Sequence, residues 1–224
     1  MRLRSVLPGK RRANWEMASN VIALASLKGG CGKSTLAMNL AAGLARRDSV
    51  GLVDTDPQGA LCHWADWSAE AGLPEVLAGG DDTLETLSRA SRRHQWVVVD
   101  CPPSLDMAIT CRILERVDMV LIPVLPSPLD LWATAKTVDA VRQAQRCNFG
   151  LKGWLLINQA EPFSAISRAM SQALATLAIP TLGCVIRRRA AFRTAAVEGV
   201  SVYQLGPRGR EAAREIDQVI EEVL

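Results

Sequence analysis

Two lysines bracket a run of glycines in Lys28-Gly29-Gly30-Cys31-Gly32-Lys33-Ser34-Thr35. Gly29, Gly30 and Gly32 let neighbouring backbone N–H groups turn toward one point, which makes a nest for an anion. A helix starting at residue 34 would add the positive end of its dipole. Lys33 is placed to reach the β- and γ-phosphates of a nucleotide, the Ser34 hydroxyl to bind Mg²⁺, and Thr35 to reach the α-phosphate. The usual phosphate loop reads G-x-x-x-x-G-K-[ST]. Here Gly32-Lys33-Ser34 keeps the second half, but Leu27 stands where the first glycine belongs and Lys28-Gly29-Gly30 leads in instead. A Gly-rich turn with incidental lysines is the plainer alternative. The order of buried run, loop and helix argues against it.

Three acids stand at the ends of two other apolar runs. Asp54 and Asp56 follow Val53 in Asp54-Thr55-Asp56-Pro57-Gln58-Gly59, and Asp100 ends Val97-Val98-Val99 before Cys101-Pro102-Pro103-Ser104. Carboxylates at i and i+2 of a strand end can face one metal–phosphate region. Asp100 reads as the acid of a second nucleotide motif, holding Mg²⁺ through water, with Pro102 and Pro103 stiffening the loop that senses the γ-phosphate. Each acid could instead cap the helix that follows. Asn158 ends Leu155-Leu156-Ile157 and can be a turn residue. Arg187, Arg188, Arg189 and Arg193 gather at a strand–helix junction. They form either a phosphate-binding face for DNA or a solvated turn. No aromatic ladder accompanies them, so stacking on single strands is not indicated.

The elements that must position these residues are short apolar runs alternating with helix-length segments. Val21–Leu27, Val50–Val53, Trp96–Val99, Met119–Val124, Gly153–Ile157 and Leu182–Ile186 read as strands. Ser34–Arg46, Gln58–Ala71, a polar stretch near 82–92, Leu129–Gln145, Phe163–Leu177, Ala190–Glu198 and Gly209–Val223 read as helices, with a Pro/Gly-rich passage over 72–80. Apolar runs buried on both faces and separated by helices describe an α/β fold: a doubly wound, mostly parallel sheet with helices on both faces. In such a sheet the site lies at the carboxyl ends of the strands.

With 224 residues, 49% of them hydrophobic, the chain suits one α/β domain over residues 20–224. Residues 1–19 read as a basic N-terminal extension. Arg2, Arg4, Lys10, Arg11 and Arg12 face only Glu16 there, which leaves 21 basic and 22 acidic residues for the rest. The extension is either a disordered arm that touches nucleic-acid phosphates or a start-site artefact with Met17 as the first residue. It has no apolar run and is no secretory signal. The six cysteines show no C-x-x-C spacing and read as reduced thiols. No run reaches the roughly 18 apolar residues of a membrane span. The last residues, Arg214 to Leu224, are acidic rather than the basic amphipathic helix that would bind lipid.

The spelling K-G-G-x-G-K-[ST]-T resembles the ParA/MinD family of deviant Walker ATPases, and the likeness runs through most of residues 20–224. Leu121-Ile122-Pro123-Val124-Leu125-Pro126-Ser127-Pro128-Leu129-Asp130 is similar to the small ParA-type partition ATPases of that family. The resemblance implies a P-loop ATPase that binds ATP and Mg²⁺ and hydrolyses slowly until a partner stimulates it. It implies that Lys28 crosses a dimer interface to the partner's nucleotide, that Asp56 positions the attacking water, and that Asp54 joins the Mg²⁺ shell. It also implies that Asn158 reads the adenine edge and that Pro207, in Gly206-Pro207-Arg208-Gly209, packs on the base. The family's Mg-dependent ATP dimers bind nonspecific DNA, in line with Arg188, and a ParB-like or cargo adaptor protein releases them. The expected place is cytoplasmic and nucleoid-associated, without membrane binding. Plasmid or chromosome partition is the first expectation for cargo. Positioning a protein assembly, such as carboxysomes or chemoreceptor clusters, is the alternative by the same mechanism. A P-loop small-molecule ligase or kinase is the alternative of another class. An iron–sulfur protein is disfavoured, since Cys101 and Cys111 stand in no cluster pattern.

Overall fold

The computed structural model describes residues 20–68, 72–103, 107–161 and 172–224. Six parallel strands form one sheet: β1 (Asn20–Leu24), β2 (Val50–Asp54), β3 (Glu75–Ala78), β4 (Trp96–Asp100), β5 (Met119–Val124) and β6 (Lys152–Ile157), in the order β3-β2-β4-β1-β5-β6. The helices among the described residues are α1 (Lys33–Ala45), α2 (Ala60–Trp67), α3 (Thr83–Arg93), α4 (Met107–Leu114), α5 (Pro128–Gln145), α6 (Ala190–Glu198) and α7 (Arg210–Val223), with a 3₁₀ turn at Gly206–Arg208.

Alternation along each strand sorts its side chains to two cores. Ile22, Leu24, Leu52, Val98 and Leu121 meet α1, α2, α6 and α7 on one face. Val21, Ala23, Val53, Val97, Val99 and Val120 meet α3, α4 and α5 on the other. Because both faces are covered, the central strands are apolar at nearly every position, which is why they were legible as continuous runs. The acids stand where the runs end. Leu24 pairs with Asp100, and Asp100 with Asp54, so β1, β4 and β2 finish at one level.

Two elements escape the sequence pattern. β3 is an edge strand of four residues, half-exposed and paired only with β2, so its apolar signal is weak. α4 follows the Pro102-Pro103 loop and is only eight residues long. The strand expected over Leu182–Ile186 is not a ladder strand. Parallel bridges form only at its edges, Leu155 with Thr181 and Ala160 with Arg187. Between them the Gly183 and Cys184 N–H groups turn away and donate to the Glu222 carboxylate of α7, at 2.5 and 3.0 Å. Leu182 and Ile186 still donate to the Leu155 and Ile157 carbonyls, so the segment touches β6 at both ends and Glu222 in the middle. Most of the helix expected over 163–177, and all of the extension over 1–19, lies outside the described residues.

α1 runs under the sheet almost wholly buried, against α7. Their approach depends on Gly43. A Cβ there would stand 2.5 Å from the Tyr203 hydroxyl and 2.7 Å from Ile220 Cδ1. Tyr203 cannot simply swing aside, since its hydroxyl donates to Asp217 at 2.8 Å and Arg46 lies over its ring. Gly43→Val is therefore expected to destabilise the chain by about 1–3 kcal/mol, the usual cost of overpacking. Urea denaturation checks it, and unchanged stability would show that the α1–α7 contact yields freely.

Candidate functional site

The loop from Leu27 to Gly32 leaves β1 and enters α1 through two left-handed residues, Gly30 (φ +76°) and Gly32 (φ +89°). Gly32 is constrained twice over. Besides its φ, a Cβ would meet Asn158 Nδ2 at 2.5 Å. α1 begins with no side-chain cap and no acid in its first turn. Its first N–H groups and positive dipole end therefore face the loop mouth without a cap or an acid from the helix itself, as an anion site requires. Lys33 is buried, and its ammonium lies 3.5 Å from the Lys28 carbonyl, directed back into the loop. Cys31 is buried, its thiol toward the same carbonyl. Ser34 and Thr35 are half-buried on the first turn.

The three acids have different work. Asp54 accepts from the backbone N–H groups of Leu61 (2.9 Å), Cys62 (3.2 Å) and Asp56 (3.2 Å). It ties the start of α2 and the loop between them to the end of β2. That is the helix-capping alternative, and it leaves Asp54 fewer open acceptor positions for the metal shell expected of it. Asp56 is half-buried in the loop so held, and its carboxylate accepts from Gln58 N–H at 2.9 Å. Thr55 closes β2 on β4 by donating its hydroxyl to the Asp100 carbonyl at 2.7 Å.

Asp100 is fully buried, and neither carboxylate oxygen accepts a well-formed hydrogen bond. Burial pushes its pKa up to about 7. The Ser34 hydroxyl and the Lys33 ammonium pull it down, and Asp54 and Asp56 push it up. A buried carboxylate without donors, beside a hydroxyl at a phosphate-type loop, suits a hard divalent cation with oxygen ligands. Asp100 and Ser34 are the residues that would hold it.

Asn158 and the arginines surround a pocket of about 300 Å³ that opens beside Gly32 and Thr35. Asn158 is buried. Its amide donates to the Cys31 carbonyl at 2.7 Å and accepts from Gln159 N–H at 2.9 Å, so it braces the loop as well as lining the pocket. Ile186, Phe192 and Gln159 complete walls that sequence reading did not name. Gln159 has φ +54°, a left-handed conformation unusual for a residue with a side chain. Nothing in the sequence marks it except its place after Asn158. Pro207 is exposed on the 3₁₀ turn and is not among the residues lining this pocket.

Arg187, Arg188, Arg189 and Arg193 all line the pocket, but their charges are not equally available. Glu215 of α7, buried with a side chain 4% exposed, pairs with Arg187 at 3.0 Å and with Arg189 at 2.7 Å, and also accepts from the Arg187 backbone N–H. Arg188 and Arg193 are exposed, and Arg188 reaches Glu161 only at 3.4 Å. Lys28, at the loop's start, is ion-paired with Asp130 of α5. No helix among the described residues is long and apolar enough to cross a membrane.

Residues 22–202 match the CobQ/CobB/MinD/ParA nucleotide binding domain family. A protein named maintenance of carboxysome distribution protein A, from Halothiobacillus neapolitanus, is 53% identical over 93% of this chain and 99% of its own length. One of the same name from Gloeobacter kilaueensis is 36% identical over 91% of this chain and 93% of its own. Among solved structures, the ATP complex of a Cyanothece McdA variant superposes with a TM-score of 0.72 at 18% identity. That match covers 92% of this chain and 96% of the other, a likeness of fold.

The pKa of Asp100 carries a test of the site. Unfolded, the carboxyl titrates near pH 4; folded and metal-free, near 7. Between those values the unfolded chain releases a proton that the folded chain keeps. The folded state therefore loses stability as pH rises from about 4 to about 7 and loses no more above. The total is on the order of 4 kcal/mol. Asp100→Asn is expected to remove that slope and to be more stable than the wild type at pH 8 but not at pH 4. Urea denaturation in a chelator across this range reads it, and parallel pH profiles for the two proteins would exclude a strained carboxylate.

Proposed function

Because the chain belongs to the CobQ/CobB/MinD/ParA nucleotide-binding family, we propose that it is an ATP-driven dimerisation switch that distributes carboxysomes. The site supports the switch, and the near-full-length relative named for carboxysome distribution supports the cargo. The same relative favours a protein assembly over the plasmid or chromosome expected first.

In this reading the triphosphate enters the nest of residues 29–32 against the uncapped start of α1. Lys33 meets the β- and γ-phosphate charge, and Thr35 meets the α-phosphate. Mg²⁺, held by Ser34 and Asp100, would neutralise phosphate charge when bound. Adenosine takes the pocket beside Gly32, where Asn158 and Gln159 supply amide groups and Phe192 an apolar wall. Asp56 orients the attacking water from a loop that Asp54 keeps in place. Lys28 crosses to the second chain's nucleotide and stabilises the charge that develops there, as an arginine finger does. Hydrolysis is slow until a cargo adaptor accelerates it. A turnover on the order of ten per second, ordinary for metabolic enzymes, would instead favour small-molecule chemistry.

Lys33→Ala is the direct test. Calorimetry is expected to lose ATP binding, because a buried cation facing the phosphates is gone. Cells carrying only this variant are expected to bunch their carboxysomes under the microscope. Evenly spread carboxysomes with unstable plasmids would return the cargo to plasmid partition.

The ATP dimer is proposed to hold nonspecific DNA through Arg188 and Arg193, doubled by the second chain. Arg187 and Arg189 belong to the fold as well, since truncating them strands the buried Glu215 at a typical cost of about 3–5 kcal/mol. Arg188→Glu with Arg193→Glu is therefore the informative pair. It should weaken DNA binding at least about tenfold at ordinary salt and flatten its salt dependence, while ATP binding persists. Full DNA affinity in an electrophoretic shift would move the DNA face elsewhere.

A further inference from the structure

Lys28 and Asp130 form an unequal pair. The lysine side chain is 39% exposed and the aspartate side chain 5%. Asp130 stands in the first turn of α5, where its N–H donates to the Ser127 carbonyl and its carbonyl accepts the Thr134 hydroxyl at 2.8 Å. Neither contact reaches its carboxylate. One carboxylate oxygen is taken by Lys28, and the other, Oδ2, is buried with no hydrogen-bond partner among the described residues. α5 also grips the strand end itself, since the Leu27 N–H donates to the Thr137 hydroxyl at 3.2 Å. The helix thus fastens the residue before Lys28 by backbone and Lys28 by charge.

A buried ion pair with an unmet oxygen is a poor way to add stability, because desolvation offsets the attraction. Its separation, however, is costly, because the buried partner is left uncompensated. We propose that Asp130 is a latch. In the nucleotide-free chain it holds Lys28 against its own α5, and Lys28 leaves it only when a second copy presents bound ATP. This inference rests on the crossing role of Lys28 given above and adds its regulation. A triphosphate outcompetes a single carboxylate for an ammonium, and a diphosphate does so less well. The latch therefore makes the dimer answer to ATP rather than to ADP. Lys28 can make the exchange because its charge rides on a flexible four-carbon stem, where a planar arginine fork would be confined to one geometry. Asp130 touches Lys28 and not the nucleotide, so it is a positioning residue.

Two measurements on the full chain test this. In the first, nucleotide-free protein is acylated on its amines with acetic anhydride and the sites are read by peptide mass spectrometry. Lys28 is expected to react several-fold faster in Asp130→Asn than in the wild type, with exposed Lys136 unchanged as control. Asp130→Glu, which keeps the charge, should leave Lys28 slow. Equal Lys28 reactivity in the wild type and Asp130→Asn overturns the latch. In the second, sedimentation measures dimer formation with ATP and with ADP. Asp130→Asn is expected to dimerise with ATP at about tenfold lower protein concentration, and the gain should vanish in a Lys28→Ala background. A gain that persists without Lys28, or an ATP dimer that weakens in Asp130→Asn, overturns the proposal. An ATP dimer of wild-type strength in Lys28→Ala alone overturns the crossing role instead, a failure separate from that of the pair, which the acylation reads directly.

Discussion

The carboxylate of Asp100 lies fully buried at the end of a central strand without a well-formed hydrogen bond. Such a group costs free energy in the empty protein, and a chain selected only for stability would replace it. It is held there by register. β1, β4 and β2 end together, and the Thr55 hydroxyl pins the Asp100 carbonyl from the neighbouring strand. That level is also where the glycine loop begins. The unmet acid, the Ser34 hydroxyl and the buried Lys33 ammonium therefore share one small volume. Their mutual incompleteness is what a metal–phosphate ligand would complete.

Two other buried acids show the contrast. Asp54 and Glu215 are each nearly inaccessible, yet both are satisfied: Asp54 by three backbone N–H groups, Glu215 by one backbone N–H and two guanidinium groups. Satisfied acids of this kind build structure. Asp54 sets the loop that carries Asp56, and Glu215 sets the wall of the pocket beside Gly32. Asp100 and Asp130 keep oxygens unmet, and both stand at the loop. The distinction between scaffold and site lies in hydrogen-bond accounting and not in burial or charge.

This explains what the sequence could reveal. The parallel sheet was legible because strands covered on both faces are apolar throughout, and the loop was legible because its glycines and lysines are adjacent in the chain. Asp56 and Asp100 stood out because they lie at or just beyond the ends of apolar runs. Asp54 looked equivalent to them, and only the positions of Leu61 and Cys62 show that one of its oxygens caps α2. Arg187 to Arg193 looked like one uniform basic patch. Glu215, more than twenty residues away, divides it into paired and available charges. Leu182–Ile186 had the composition of a strand, but only its ends donate to β6, while its Gly183 and Cys184 N–H groups donate to Glu222. For the arginines and for Leu182–Ile186 the decisive partner comes from a distant helix, and single-sequence patterning is blind to such pairs.

The loop is braced from both sides of the sheet, and this bears on how it could act as a switch. Asn158, beyond β6, holds the Cys31 carbonyl, while α5, on the face opposite α1, holds the Leu27 N–H and the Lys28 ammonium. The first contact is a neutral hydrogen bond in a buried setting, and it leaves the nest of residues 29–32 formed before any ligand arrives. The second includes a charge pair with one exposed member, which an incoming polyanion can contest. A loop preorganised at its Asn158 side and contested at its Lys28 side separates two events: nucleotide binding within one chain needs little rearrangement, while engagement of a second chain requires a pair to be broken. Spreading the braces over two packed faces keeps the second event from undoing the first.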